Sequence, residues 1–228
     1  MCELINSANG TMILQEIGEG HWLVPGLCEK DRWNPEKQVD YESVKSIWLA
    51  VYQRINRLTQ NIDVVIEKSP PNMMRIEALA AQFRSCSFLA NNRDPYAHCS
   101  SMLYRLYEAD TLDSAQRKQV LQSYALDWSL RSVKIHELCG RLDMPLITYE
   151  QFCQDPGALL PKLSLPGDIT GSIKIHGEVK VKDYAAQGIV NQNERQIANL
   201  RAEEIAHMNQ VLAKYERLLD FFGYQLLR

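Results

Sequence analysis

The sequence predicts an α/β fold, a parallel sheet flanked by helices, and three observations carry that reading. Short runs of β-branched and aliphatic residues alternate with longer stretches of helical periodicity, the pattern of strands joined by crossover helices. Two of those runs end in polar, basic loops that pass directly into a helix. No internal repeat or low-complexity tract interrupts the alternation, so a single domain over residues 1–228 is expected.

Four strands are expected, at 11–17, 62–67, 87–90 and 145–149. The second contains Ile62-Asp63-Val64-Val65-Ile66, nearly continuous in apolar residues, as a strand buried on both faces would be. Lys68-Ser69-Pro70-Pro71-Asn72 then stops it, because proline cannot donate to a ladder. The third strand ends in Asn91-Asn92-Arg93-Asp94-Pro95.

Helices fill the intervals. Asp40 caps a helix carrying Val44, Ile47, Trp48, Val51, Ile55 and Leu58 on one face. Ile76, Leu79, Ala80 and Phe83 form a shorter stripe. Between 113 and 142, Val120, Tyr124, Trp128, Ile135, Leu138 and Leu142 recur at helical spacing. A last helix is expected over 193–222, with Ile205, Met208, Leu212, Tyr215, Leu219 and Phe222 along one side. That stripe is shorter than the roughly 3–4 heptads of a coiled coil, so packing within its own domain is the expectation.

Composition sets outer bounds. A chain of 228 residues with 46% hydrophobic and 23% charged residues is that of an ordinary globular protein. No apolar run approaches the ~20 residues needed to span a membrane, and residues 1–10 lack the features of a signal peptide. A cytoplasmic location without membrane association is therefore expected. The net charge of −3 argues against non-specific nucleic-acid binding. Six scattered cysteines without CxxC or zinc spacing predict neither a disulfide framework nor a metal centre.

The two basic loops at strand ends suit a phosphorylated ligand. Arg93 offers a guanidinium able to grip phosphate oxygens, with Ser100 and Ser101 in the following turns. Lys68 offers a compact cation for developing negative charge. An arginine before Asp-Pro is also a common partner for a carboxylate within a loop, and a lysine at a strand end is often only solvated.

The ordered set Glu67-Lys68-Ser69-Pro70-Pro71-Asn72, Arg75, Ser87-Phe88-Leu89, Arg93-Asp94-Pro95-Tyr96 and Ser101 resembles the middle of the 3′-phosphoadenosine-5′-phosphosulfate (PAPS) dependent sulfotransferases. Tyr149-Glu150-Gln151-Phe152 with Asp155-Pro156 is similar to that family's Tyr-Glu segment. The resemblance covers residues 11–156 and implies a P-loop nucleotide-hydrolase-like fold and sulfuryl transfer from PAPS to a hydroxyl or amine. It implies that Arg93 and Ser101, eight positions apart, hold the 3′-phosphate and that Tyr149 lies near the adenine. Lys68 is implied near the sulfuryl group or acceptor. The stretch Glu16-Ile17-Gly18-Glu19-Gly20-His21-Trp22 loosely resembles the Gly-Glu stretch that carries the catalytic glutamate in protein-tyrosine sulfotransferases. Glu19 and His21 are thus the candidate bases, with Glu16 next. Lys180 and Lys182 stand where many members return a basic segment to the nucleotide, although the usual Arg-Lys-Gly is absent. An edge hairpin with protective lysines is the other reading of that segment. His176 is isolated and not expected to bind metal.

The resemblance also implies an opening strand and a Ser/Thr/Gly-rich loop for the 5′-phosphosulfate. Neither is present in the sequence: Met1 to Asn9 reads as the tail of the helix that should follow them. The fold is therefore expected to lack its first strand, which would lie between the strands ending at Lys68 and Arg93. A truncated reading frame is the expected explanation; the alternatives are a second chain, in a homodimer or a partner, that supplies the strand, or a fragment that folds poorly. The remaining expected partner is a small-molecule or carbohydrate acceptor. An inactive sulfotransferase-like nucleotide-binding or accessory protein is the alternative function; a P-loop kinase is disfavoured because GxxxxGK[ST] is absent.

Overall fold

The computed structural model describes residues 1–59, 61–178 and 188–228. In chain order the elements are α1 (Cys2–Ile5), β1 (Thr11–Ile13), α2 (Tyr41–Thr59), β2 (Val64–Ile66), α3 (Ile76–Ala80), β3 (Ala90–Asn92), α4 (Pro95–Leu106), α5 (Ser114–Leu142), β4 (Leu146–Thr148), α6 (Tyr149–Gln154), α7 (Gly167–Ser172), α8 (Asn193–Ile197), α9 (Ala202–Leu212) and α10 (Glu216–Phe222), with 3₁₀ turns between several of them. They form two compact units, Met1–Ser87 with Leu163–Ile189, and Phe88–Lys162 with Val190–Arg228. Among the described residues no helix is long and apolar enough to cross a membrane.

In the first unit β1 and β2 pair in parallel, with Thr11 opposite Val64 and Ile13 opposite Ile66. The core beneath the loop after β1 comprises Leu14, Val24, Leu27, Val44, Trp48 and Leu79. Val44 and Trp48 are the residues of α2 that reach it fully, one turn apart on the inner face. Leu58, assigned to the same face from its spacing, is 82% exposed because the helix runs past the core before it ends. The segment after residue 163 closes the other side, where Ser172 Oγ accepts from Asn9 N at 3.2 Å and Ser7 Oγ accepts from Lys174 N at 2.8 Å.

The second unit pairs β3 with β4, again in parallel, with Ala90 opposite Leu146 and Asn92 opposite Thr148. Asp94 caps α4 by accepting from Ala97 N at 2.8 Å, with Pro95 at the first helical position where its missing N–H costs nothing. Asp113 and Gln116 form a capping box for α5, which runs unbroken to Leu142. Its buried side mixes apolar and polar residues: Arg117, Leu121, Ala125, Trp128, Ser132, Ile135 and Leu138. Leu138, Leu212 and Leu219 are each no more than 1% exposed, and burying such a side chain contributes about 1.5–3 kcal/mol.

Three sequence-based expectations are corrected. The strand at 62–67 is not buried on both faces: Val65 is 40% exposed, since alternate residues of a strand point to opposite faces and only one side here meets the core. The strand at 11–17 stops at Ile13 because the chain turns at Gly18, whose φ of +82° lies in the left-handed region that favours glycine. The expected helix over 193–222 is broken into α8, α9 and α10. Glu204 reaches back to accept from Arg201 N at 2.9 Å, which caps a fresh helix start after the turn at 198–201. The apolar stripe still serves packing within this unit, for Met208, Leu212, Leu219 and Phe222 are all buried.

Candidate active site

The candidate residues fall into two groups, one in each unit. In the first, the loop after β1 is tied to the loop after β2 by main-chain and side-chain bonds. Lys68 N donates to Gly18 O at 2.7 Å, and Gly20 N donates to Glu67 Oε1 at 3.1 Å. His21 N donates to Ser69 Oγ at 3.0 Å, while Ser69 Oγ in turn bonds Glu67 Oε1. Asn72 Nδ2 donates to Glu67 Oε2 at 3.3 Å, and the Trp48 indole donates to Gly20 O at 3.0 Å. Burial pushes the Glu67 carboxyl up, against the opposing pull of its bonds to Ser69, Asn72 and Gly20. Gly20 is required by proximity: a Cβ there would lie 2.5 Å from Leu14 Cδ2 and 3.1 Å from Glu67 Cγ. The two glycines flanking Glu19 therefore serve the folding of this loop.

That scaffold brings Glu19 and Lys68 together. Lys68 Nζ donates to Glu19 Oε1 at 3.0 Å, and the Trp22 indole donates to Glu19 Oε2 at 3.1 Å. Burial alone would raise the Glu19 carboxyl, but the hydrogen bond and charge of Lys68, joined by the Trp22 bond and the charge of His21, outweigh it and hold the group below its ordinary value. The Lys68 side chain is 40% exposed and Glu19 19%, so the pair faces solvent with the lysine outermost. His21 differs. It is 1% exposed, its ring lies 4.7 Å from that of Trp22, and neither ring nitrogen has a hydrogen-bond partner among the described residues. Burial pushes its pKa down, against the raising influence of Glu19 and with help from the charges of Arg32, Lys68 and Arg75. Glu16 is exposed on the turn, and His176 is exposed. Arg75 is a buttress: buried, it donates to Pro71 O at 2.9 Å and to the carbonyls of Arg32 and Asn34 at 2.9 and 3.2 Å.

The second group surrounds Arg93, where β3 ends and α4 begins. Its Nε donates to Asn193 Oδ1 at 2.8 Å, and one terminal nitrogen, Nη2, donates to Gln196 Oε1. The guanidinium lies over the Tyr149 ring, 4.2 Å from its centroid. Its backbone carbonyl accepts from the Trp128 indole at 2.8 Å. Among the described residues Arg93 has no carboxylate partner, and Nη1 has no hydrogen bond. The loop ion pair that Arg-Asp-Pro also suggests is thus not formed. Ser100 is fully buried and donates to Gln196 O at 2.6 Å, a structural use, whereas Ser101 is partly buried and its hydroxyl has no partner among the described residues. Tyr149 keeps its hydroxyl engaged, donating to Val190 O at 3.0 Å and accepting from Gln192 N at 3.1 Å.

Asn193 and Gln196 carry no site assignment from the sequence. Their only signal is two amides three positions apart on one helical turn, which places them on the same face. Lys180 and Lys182 lie outside the described residues. No group of three or more His, Cys, Asp or Glu that could hold a metal ion occurs among the described residues.

Residues 15–164 match the sulfotransferase family model. The chain belongs to the sulfotransferase family. That sulfotransferase segment takes in Glu19, His21, Lys68, Arg93, Ser101 and Tyr149 and stops short of Asn193 and Gln196. No curated protein and no solved structure gives a match to this sulfotransferase.

Proposed function

We propose that the chain transfers a sulfuryl group from PAPS to a hydroxyl or amine acceptor, in the cytoplasm, with a small molecule or carbohydrate as acceptor. The observation that carries this reading is the state of Arg93. A half-buried guanidinium held by two neutral amides and an aromatic face keeps its full positive charge and one terminal nitrogen for an external anion. The 3′-phosphate of PAPS fits that need, with the Ser101 hydroxyl as a further donor. Tyr149 supplies an aromatic surface beside it, and Lys180 and Lys182 are further candidates to contact the nucleotide.

PAPS supplies the sulfuryl group and leaves as adenosine 3′,5′-bisphosphate. The chain's own residues would orient the reactants and handle charge and protons. Lys68 is suited to negative charge building on the moving group. Glu19, kept deprotonated by Lys68, is suited to accept the acceptor's proton. His21 is a second candidate base whose imidazole is held neutral by burial.

The finer fold belongs to the same reading. We take it to be the P-loop-like sulfotransferase fold without its first strand. In support, among the described residues β2 pairs with β1 alone and β3 with β4 alone. Each strand therefore keeps an edge on which a further strand, from a second copy or another chain, can form hydrogen bonds.

One observation favours the alternative, a nucleotide-binding protein that transfers nothing. Both oxygens of Glu19 are already occupied, and His21 is enclosed. Calorimetry with adenosine 3′,5′-bisphosphate on the wild type and Arg93→Ala, beside a sulfate-transfer assay, separates the cases. Binding lost in the variant together with turnover in the wild type supports the transferase. Binding without turnover supports the accessory protein. A folded wild type that binds nothing refutes both.

A further inference from the structure

Behind Arg93 stands a second row of side chains. Glu150, at the start of α6, accepts at Oε1 from Asp94 N at 3.0 Å and from Asn193 Nδ2 at 2.5 Å. Its other oxygen, Oε2, accepts from the Tyr224 hydroxyl at 2.8 Å. Asn193 is thus held at both ends, its nitrogen by Glu150 and its oxygen by Arg93. It is itself buried, at 7% exposure.

An asparagine amide has a donor end and an acceptor end of nearly the same shape, so its neighbours decide which way it points. A carboxylate accepts and does not donate, so Glu150 admits only the nitrogen. The oxygen must then face the guanidinium, which only donates. Reversed, the amide would set N–H against N–H at Arg93 and oxygen against oxygen at Glu150, leaving both ends of the buried Asn193 amide unsatisfied. Asn193 also keeps the negative charge of Glu150 one residue removed from Arg93. A carboxylate in place of Asn193 would grip the arginine as well, but would neutralise the cation that an anion needs.

We propose that Glu150 is a positioning residue for Arg93, acting through Asn193: it fixes the amide's orientation, and so aims the guanidinium without neutralising it. Tyr224 and Asp94 N hold Glu150 in place, so the C-terminal segment takes part in shaping the anion site. The assignment rests on Arg93 binding the 3′-phosphate, and it extends the site to residues beyond the 15–164 match.

The test reads discrimination, not affinity alone. Affinities for adenosine 3′,5′-bisphosphate and adenosine 5′-phosphate are measured by calorimetry for the full chain, and their ratio gives the preference for the 3′-phosphate. Arg93→Ala should reduce that preference roughly 10- to 100-fold, the scale of a hydrogen-bonded charge. Glu150→Ala and Asn193→Ala should each reduce it by roughly tenfold or more, while Glu150→Gln, which keeps an oxygen for Asp94 and Asn193, should recover most of it. In an Arg93→Ala background, Glu150→Ala should change the ratio no further. A purely structural role for Glu150 would weaken both ligands equally, and that result, or a full effect persisting without Arg93, overturns the proposal. If Glu150→Ala does not fold, Asn193→Ala decides by the same criteria. Should Arg93→Ala itself leave the ratio unchanged, the functional reading fails, and the positioning role falls with it.

Discussion

Arg117 Nε donates to Glu204 Oε1 at 2.5 Å, between side chains that are 3% and 0% exposed. A second bond runs from Nη2 to Oε2 at 3.3 Å, and Ala109 O accepts from Nη1 at 3.1 Å. The pair joins α5 to α9, and the same carboxylate caps α9. Burial would raise the Glu204 carboxyl, but Arg117 and the Arg201 amide together hold it below its ordinary value. Arg117→Met leaves that carboxylate buried without its counter-charge and should cost about 3–5 kcal/mol in urea denaturation. Arg117→Met combined with Glu204→Leu should cost considerably less, because no charge is then stranded. Since the folded pKa is depressed, this contribution is present above the unfolded value of about 4.3 and lost as pH falls through the folded one.

His98 on α4 should dominate the loss of stability at moderately acid pH. Burial first, then the charges of Arg131, Arg93 and Arg105, push its pKa down to about 4. Above pH ~6.5 the imidazole is neutral in both folded and unfolded chains and contributes no pH dependence. Below that value only the unfolded chain takes up the proton, so stability falls until the folded pKa is reached, by about 3 kcal/mol. Thermal melts of the wild type and His98→Gln between pH 7.5 and 4 should show that fall in the wild type and a flatter profile in the variant.

The Glu19–Lys68 pair predicts the acid side of a sulfate-transfer profile. With Glu19 as base, turnover falls as pH drops into the carboxylate range and Glu19 becomes protonated. Lys68→Met removes the two largest influences that lower the Glu19 pKa and leaves burial opposed by the Trp22 bond and His21, so the acid limb should move to higher pH. Glu19→Gln should reduce kcat by roughly 10²- to 10⁴-fold. Steady-state rates from pH 4 to 8 check both, and an unmoved limb in Lys68→Met would remove Glu19 from the role.

Gly20→Val should disturb the same loop by crowding. The new side chain meets Leu14 and Glu67, where even a Cβ is too close. A destabilisation of about 1–3 kcal/mol is expected from overpacking, together with loss of the Trp48–Gly20 hydrogen bond as the loop shifts. Tryptophan fluorescence and chemical denaturation report the two effects.

The strands at Val64–Ile66 and Leu146–Thr148 are legible because β-branched runs need only local chemistry to be recognised. Their ends are less so, since Gly18 and the side chains around it set the turn after β1. The spacing of Arg93 and Ser101 is likewise visible in one segment. Asn193 and Gln196, 100 and 103 positions from Arg93, leave no local trace of their partnership.

The sequence alone thus determined the alternation of strands and helices and the basic loops that hold Lys68 and Arg93, properties of residue type and short-range order, while Glu19 became a candidate through family resemblance. Only the tertiary structure decided what surrounds them: amides and an aromatic ring against Arg93, Glu150 behind Asn193, a lysine on Glu19 and an enclosed His21. The physical reason is that hydrogen-bond partners and burial depend on which distant segments meet. A guanidinium paired with a carboxylate and one left charged for a ligand are the same residue in a sequence.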